Sequence, residues 1–229
     1  MNLRFVFTAW VLLTMSLGLS GQGRMLWQET FDHYGDTLPA HWWSEGVPAT
    51  VVDGRLFVDA DTVAPRVSTI WLDKEFEGNL AIEFDVHVVS SEEVANNLNF
   101  FLCYSDPGDR HLKETREMRN DGGYGHYHKL NGYIFTHLAN GTEEPARFRF
   151  RYNPGFTLVQ EKYTYECKKG VTYRIRIVKI GNRIQYWANG NLILNSEVDE
   201  NQLYKRGIIG FRTFRTALWW DNLTVTQLE

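Results

Sequence analysis

The stretch Leu80-Ala-Ile-Glu-Phe-Asp-Val-His-Val88 puts Ile82, Phe84, Val86 and Val88 on one side of the chain and Glu83, Asp85 and His87 on the other. A period of two marks a strand with one buried face and one wet face. Arg147-Phe-Arg-Phe-Arg-Tyr152 splits the same way, with Phe148, Phe150 and Tyr152 against Arg147, Arg149 and Arg151. Thr172-Tyr-Arg-Ile-Arg-Ile-Val178 and Arg183-Ile-Gln-Tyr-Trp-Ala188 repeat the pattern. Gly181-Asn182 and Asn189-Gly190 lie between such runs. Both residue types tolerate positive φ, so these pairs read as hairpin turns. Beyond residue 20 the only helix-compatible segment is the short one near Glu114–Arg119. The prediction is an all-β fold, a two-sheet antiparallel β-sandwich of the jelly-roll kind, with residues 21–229 as a single domain. No Pro/Ser linker or composition shift divides it, and no fixed-period repeat suggests a propeller.

Composition agrees with a globular chain. Of 229 residues, 43% are hydrophobic and 23% charged, which argues against disorder. The formal net charge is -4 with no long block of either sign, so a general nucleic-acid binder is not expected. Aromatics reach 14%, a level that serves β-sandwich cores and sugar stacking alike. The start has the layout of a secretory leader: Arg4, an apolar run from Phe5 to Leu19, then Gly18-Leu19-Ser20. Residues 1–20 are therefore read as a signal peptide, the run being short for a membrane span. The mature chain is expected in the periplasm or outside the cell, away from the membrane. Only Cys103 and Cys167 are present. They form one bridge or two separate thiols, since nothing in the sequence fixes their distance.

Several segments carry a family likeness. Glu29-Thr-Phe-Asp32, Trp42-Trp43 and Val52-Asp-Gly-Arg-Leu-Phe-Val58 resemble the opening of the concanavalin A-like lectin/glucanase superfamily. Gly207-Ile-Ile-Gly-Phe-Arg212 and Trp219-Trp-Asp-Asn-Leu-Thr-Val225 resemble its ending. Ile184-Gln-Tyr-Trp-Ala-Asn-Gly-Asn-Leu-Ile193 resembles its strand–turn–strand unit. More narrowly, Ala95-Asn-Asn-Leu-Asn-Phe-Phe101, Tyr127-His-Lys-Leu-Asn-Gly-Tyr-Ile-Phe135, Asn153-Pro-Gly-Phe156 and Phe211-Arg-Thr213 resemble a family of exported bacterial sandwich proteins associated with polysaccharide breakdown. The likeness covers most of residues 26–229. It implies a concanavalin A-like jelly roll whose first and last strands lie close together, and a polysaccharide or oligosaccharide partner.

Glucanases of this superfamily carry Glu-x-Asp-x-Glu on one strand. Glu83 and Asp85 match that pattern, but His87 replaces the second Glu, which removes the acid/base of a retaining mechanism. Asn97, Asn99, Phe101 and Cys103 share one strand face, and Leu98, Phe100, Leu102 and Tyr104 the other. Asparagine amides suit sugar hydroxyls or a uronate carboxylate, and they also close turns. In Gly122-Gly-Tyr-Gly-His-Tyr-His-Lys-Leu-Asn-Gly-Tyr133, an extended chain puts Tyr124, His126 and His128 on one face. That stretch reads either as a site or as an aromatic surface hairpin. In each of the pairs Trp42-Trp43 and Trp219-Trp220 one ring is expected in the core and the other freer. Trp187 is the best stacking candidate outside the pairs.

Together with the resemblance, these residues lead to a polysaccharide lyase acting on a uronic-acid glycan by β-elimination. Asn97, Asn99 and Arg116 would neutralise the carboxylate, His128 would take the C5 proton and Tyr133 would protonate the leaving oxygen. Trp187, His126, Tyr124 and Arg212 would bind substrate. A non-catalytic carbohydrate-binding module uses the same side chains without proton transfer. A glycoside hydrolase would need an atypical pair such as Asp85 with Glu117. No Ser elbow, phosphate loop or zinc motif is present, and no cofactor is expected; a structural calcium stays open, with no motif to indicate it.

Overall fold

The computed structural model describes residues 23–91, 97–139, 146–164 and 167–229; the leader segment and Asn96 lie outside the described residues. In chain order the strands are β1 (Arg24–Glu29), β2 (Trp42–Gly46), β3 (Thr50–Val52), β4 (Arg55–Asp59), β5 (Val67–Leu72), β6 (Phe76–Glu77), β7 (Leu80–Ser90), β8 (Asn97–Ser105), β9 (Asn131–Leu138), β10 (Ala146–Asn153), β11 (Thr157–Thr164), β12 (Thr172–Ile180), β13 (Arg183–Ala188), β14 (Asn191–Glu197), β15 (Arg206–Phe214) and β16 (Ala217–Gln227). They form two antiparallel sheets. The first runs β14-β13-β12-β7-β16-β4-β3, with β1 on β16. The second runs β11-β10-β9-β8-β15-β5-β2, with β6 on β15. This is the predicted two-sheet sandwich. Glu29 pairs with Leu223, so the first and last strands are neighbours, as the resemblance implied.

The opening stretch becomes β7, in the middle of the first sheet. Ile82, Phe84, Val86 and Val88 point inward and are buried. Phe84 meets Phe100 and Phe211 of the second sheet at ring separations of 5.2 and 5.0 Å. Burying a side chain of this size stabilises the fold by about 1.5–3 kcal/mol. Asn189 and Gly190 close the β13–β14 hairpin with φ of 48° and 77°.

Strict alternation fails at the end of β8. The register shifts between Leu102 and Ser105 on the β9 side, and Cys103 takes φ 55°. A bulge reverses the two faces. Cys103 therefore joins the inter-sheet core with Leu98, Phe100 and Leu102, while Tyr104 turns outward, opposite to the expectation. Gly207 permits the close approach, since a Cβ there would lie 2.4 Å from the Cys103 carbonyl carbon. Cys103 and Cys167 are both buried and are not bridged to one another.

Residues 106–130, between β8 and β9, fold over part of the second sheet's outer face. They contain a 3-10 turn (Arg116–Arg119) and one helical turn, α1 (Tyr124–Tyr127). Leu112, Tyr127 and Leu130 pack on Trp43, Trp71, Phe101 and Ile134 in a second apolar cluster. Trp43 is consequently as buried as Trp42, so neither ring of that pair is the freer one. Glu45, 1% exposed, latches the cover down. It accepts hydrogen bonds from Arg119 Nε at 3.1 Å, Trp71 Nε1 at 3.1 Å, Trp43 Nε1 at 3.4 Å and the Tyr127 hydroxyl at 2.8 Å. A buried carboxylate is tolerable when it is this fully paired.

Candidate functional site

Strand register lines up one polar side chain per strand across the outer face of the second sheet. Glu45 pairs with Thr69, Thr69 with Arg212, Arg212 with Asn99, Asn99 with Thr136, Thr136 with Arg149 and Arg149 with Glu161. The row starts under the cover and emerges from it at Arg212. There a cavity of about 380 Å³ opens, floored by Asn97, Asn99, Thr136, Arg149 and Arg212 and walled by Tyr124, Leu138 and Phe214.

The floor is short of hydrogen-bond partners. Asn97 and Asn99 are 5% and 6% exposed, and among the described residues each Oδ1 has none. The Arg149 Nε is buried and equally unpartnered. Such atoms cost about 1–3 kcal/mol each when left dry, so water or a ligand group has to satisfy them. Arg212 is 2% exposed. Its Nη1 donates to Thr69 Oγ1 at 2.6 Å and to the Gly122 carbonyl at 2.9 Å. Its guanidinium lies over the rings of Tyr124 and Tyr127, 4.6 and 4.9 Å from their centroids. Burial pulls its pKa below the ordinary arginine value, yet a guanidinium keeps its charge in a protein. Among the described residues no carboxylate closes an ion pair with Arg212 or Arg149, although Glu161 is Arg149's cross-strand neighbour, and none lines the cavity. The site is therefore a partly dehydrated cationic pocket with free amide acceptors, suited to a ligand carrying both an anionic group and hydroxyls.

Of the residues singled out from sequence, Asn97, Asn99, Tyr124 and Arg212 meet in this cavity. His128 stands behind it. Its ring stacks on Phe156 at 3.7 Å and meets the edge of Tyr124 at 4.6 Å. Burial, aided by Arg212 and Arg151, lowers its pKa to about 4, so it is neutral at pH 7. The other four candidates lie elsewhere. His126 contacts Asp121 at 2.9 Å, away from the cavity. Residues 124–127 are helical rather than extended, so Tyr124 and His128 share a face and His126 does not. Arg116 is exposed on the 3-10 turn beside Glu117. Tyr133 is fully buried on the inner side of β9, where its hydroxyl donates to the Gln202 carbonyl and accepts from the Tyr204 N–H, both at 2.9 Å. It is not available to a leaving oxygen on the outer face. Trp187 projects from the outer face of the first sheet, the far side of the sandwich.

Thr136, Leu138 and Phe214 were not among the sequence candidates, and Arg149 was noted only as part of the arginine stripe of β10, which either grips an acidic polymer or keeps that face wet. The alternating arginines of β10 were a visible signal for Arg149; nothing in the sequence pointed to the other three.

The glucanase-like positions are on the opposite sheet and neutralised. Glu83 meets Arg176 and Asp85 meets Arg174, both at 3.4 Å. His87 stacks on Trp219 at 5.0 Å, and Arg55 lies over the same indole at 4.5 Å. Asp85 and Glu117 occupy opposite faces of the sandwich and do not form a pair. A larger groove of about 650 Å³ beside Leu203–Arg206 has no unpartnered buried polar side-chain atom among its lining residues.

Solved structures share this architecture. A Bacillus subtilis protein of unknown function with a galectin-like fold is 16% identical, with a TM-score of 0.73 over 90% of this chain and 96% of that one. The Bacillus subtilis carbohydrate-binding module CBM66 is 11% identical, with a TM-score of 0.58 over 82% and 96%. The endo-β-1,3-glucanase of Pyrococcus furiosus is 13% identical, with a TM-score of 0.59 over 90% and 95%. At these identities the likeness establishes the fold, that of concanavalin A-like lectins and glucanases. A search of curated proteins gave no match. Residues 63–223 match the pattern of the domain of unknown function DUF6250, and the chain belongs to that family.

Proposed function

We propose that this is a carbohydrate-binding protein whose cavity on the second sheet takes an acidic sugar. One observation carries the reading: Arg212 is a buried cation with no carboxylate partner among the described residues, set beside the unpartnered amide oxygens of Asn97 and Asn99. A uronate or sulfated sugar supplies the missing anion to Arg212 and Arg149 and hydroxyl donors to the amides. Phe214, 41% exposed at the rim, offers an apolar face for the ring. The shared fold with CBM66 and the endo-β-1,3-glucanase supports a saccharide ligand, and the leader-like start supports an exported protein. Calorimetry with uronate oligosaccharides against neutral oligosaccharides of the same linkage tests this. Tighter binding of the acidic series is expected, and equal affinity for both would overturn it.

Lyase activity is the second reading, favoured by one contact. The Tyr124 hydroxyl reaches Thr136 Oγ1 at 3.3 Å inside the cavity, close to the cations that would neutralise a carboxylate. In β-elimination the C5 proton leaves to a base, the role that neutral His128 beside Tyr124 would keep, the electron pair forms the C4–C5 double bond, and the C4–O bond breaks onto a leaving oxygen protonated by the acid. Tyr124 would take the acid role first assigned to Tyr133. Turnover, read as ultraviolet absorbance from the unsaturated product, should fall about a hundredfold or more in Tyr124→Phe with binding retained. No absorbance gain from the wild type on any uronate glycan that it binds would leave binding alone.

A further inference from the structure

We infer that the cavity is the blind end of a groove and takes the terminal acidic sugar of a glycan chain, not an internal one. The inference rests on the acidic-saccharide reading of the same site. Its basis is what happens to the polar row on either side of Arg212. Toward β2 the row is sealed. Thr69 and Glu45 are 0% and 1% exposed beneath the 106–130 cover. The seal is tight at backbone level: Gly46 N–H donates to the Asn120 carbonyl at 2.9 Å, and a Cβ on Gly122 would lie 3.1 Å from Gly46 Cα. The Gly122 carbonyl is itself held by Arg212, so the residue that would bind the anion also closes the end wall.

Toward β11 the same row opens. Arg149 is half-buried, Glu161 is exposed, and Tyr163, opposite Arg147 on the same face, is 60% exposed. Arg212 and Arg149 stand three strands apart, about 14 Å at the usual strand spacing, which is more than one sugar ring spans. Across the strands, a chain can therefore leave the cavity over β10 and β11 but cannot continue past Arg212. A blocked end beyond the anion-binding residue admits a terminus and excludes the middle of a polymer.

Calorimetric stoichiometry tests this on the intact protein. The ligands are a homologous series of uronate oligosaccharides up to the long polymer, and a parallel sulfated series to separate carboxylate from sulfate. End recognition predicts one protein per chain at every length in whichever series binds. A number bound per chain that grows with length would overturn it while leaving the acidic-saccharide reading intact. Failure of both series to bind, or single-stranded nucleic acid binding as tightly as either, would overturn both. Arg212→Gln should lower affinity at least about thirtyfold at all lengths, the scale for losing one partner of a buried charge pair. Arg149→Gln should reduce affinity less and leave the one-per-chain ratio unchanged. The wild-type ratio alone decides the matter if Arg212→Gln does not fold.

Discussion

The outer faces of the two sheets are built from the same alternation of apolar and charged residues, and they differ in what stands across from each charge. On the first sheet, register sets Glu83 opposite Arg176 and Asp85 opposite Arg174, and each pair closes at 3.4 Å. On the second, register sets Arg212 between the neutral Thr69 and Asn99, while Arg149 lies between Thr136 and Glu161 without closing an ion pair. Opposite charges across neighbouring strands cancel and leave a solvated wall. A cation across from a neutral polar residue keeps its charge for something else. Burial sharpens the contrast, because the cover over the second sheet strips water from Arg212 while the pairs on the first remain open to it.

The largest expected effect breaks the cover itself. Glu45→Ala leaves Arg119 buried without its carboxylate, a loss of about 3–5 kcal/mol. Its denaturation midpoint should drop sharply and acidic-saccharide binding should vanish with the end wall. If stability and binding both survive, the cover is not what makes the second face different.

A smaller effect compares two histidines by pH. His128 behind the cavity has its pKa lowered to about 4 by burial and two arginines, whereas the unfolded chain titrates near 6.5. Its folded pKa is depressed, so the folded state binds fewer protons between those values. Stability is complete above about pH 6.5 and is lost as pH falls through 4. His87 on the first sheet is also lowered, by burial and Arg55, but sits more openly on Trp219. Midpoints measured from pH 7 to pH 4 should fall less steeply in His128→Phe than in the wild type, with His87→Phe changing the slope less. Equal slopes for the two variants would erase this part of the contrast.

The smallest effect belongs to the first face. Glu83→Gln removes one partner of a solvent-screened pair and should change stability by no more than about 1 kcal/mol with no change in saccharide affinity. A loss of binding in that variant would move the site to the wrong sheet.

Much of the fold was legible residue by residue. Ile82, Phe84, Val86 and Val88 point inward as the alternation required, and Glu29 lies beside Leu223. The site was half legible. Asn97, Asn99, Tyr124 and Arg212 do share a cavity, but Tyr133 faces the core. The face of Tyr133 follows from β9 pairing Thr136 with Asn99, which puts even-numbered residues of β9 outward. Trp187 is partly exposed on a wet face, but strand order assigns it to the other sheet. An extended backbone would put His126 beside Tyr124 and His128, but the chain makes a helical turn there and turns His126 away. The bulge at Cys103 reversed two more faces without any mark in the sequence.

What the sequence determined by itself was local: which residues alternate, which turns admit positive φ, and hence a sandwich with a wet side on each sheet. Those properties follow from the direction of each Cβ relative to its own backbone. Which wet side became a pocket was decided only by tertiary structure. Arg212 and Asn99 are far apart in the chain and become neighbours through β15–β8 pairing, and the 106–130 cover then excludes water from one side of them. Alternation and turns restrict register once two strands are paired, but which distant strands become neighbours is set by how two whole sheets pack.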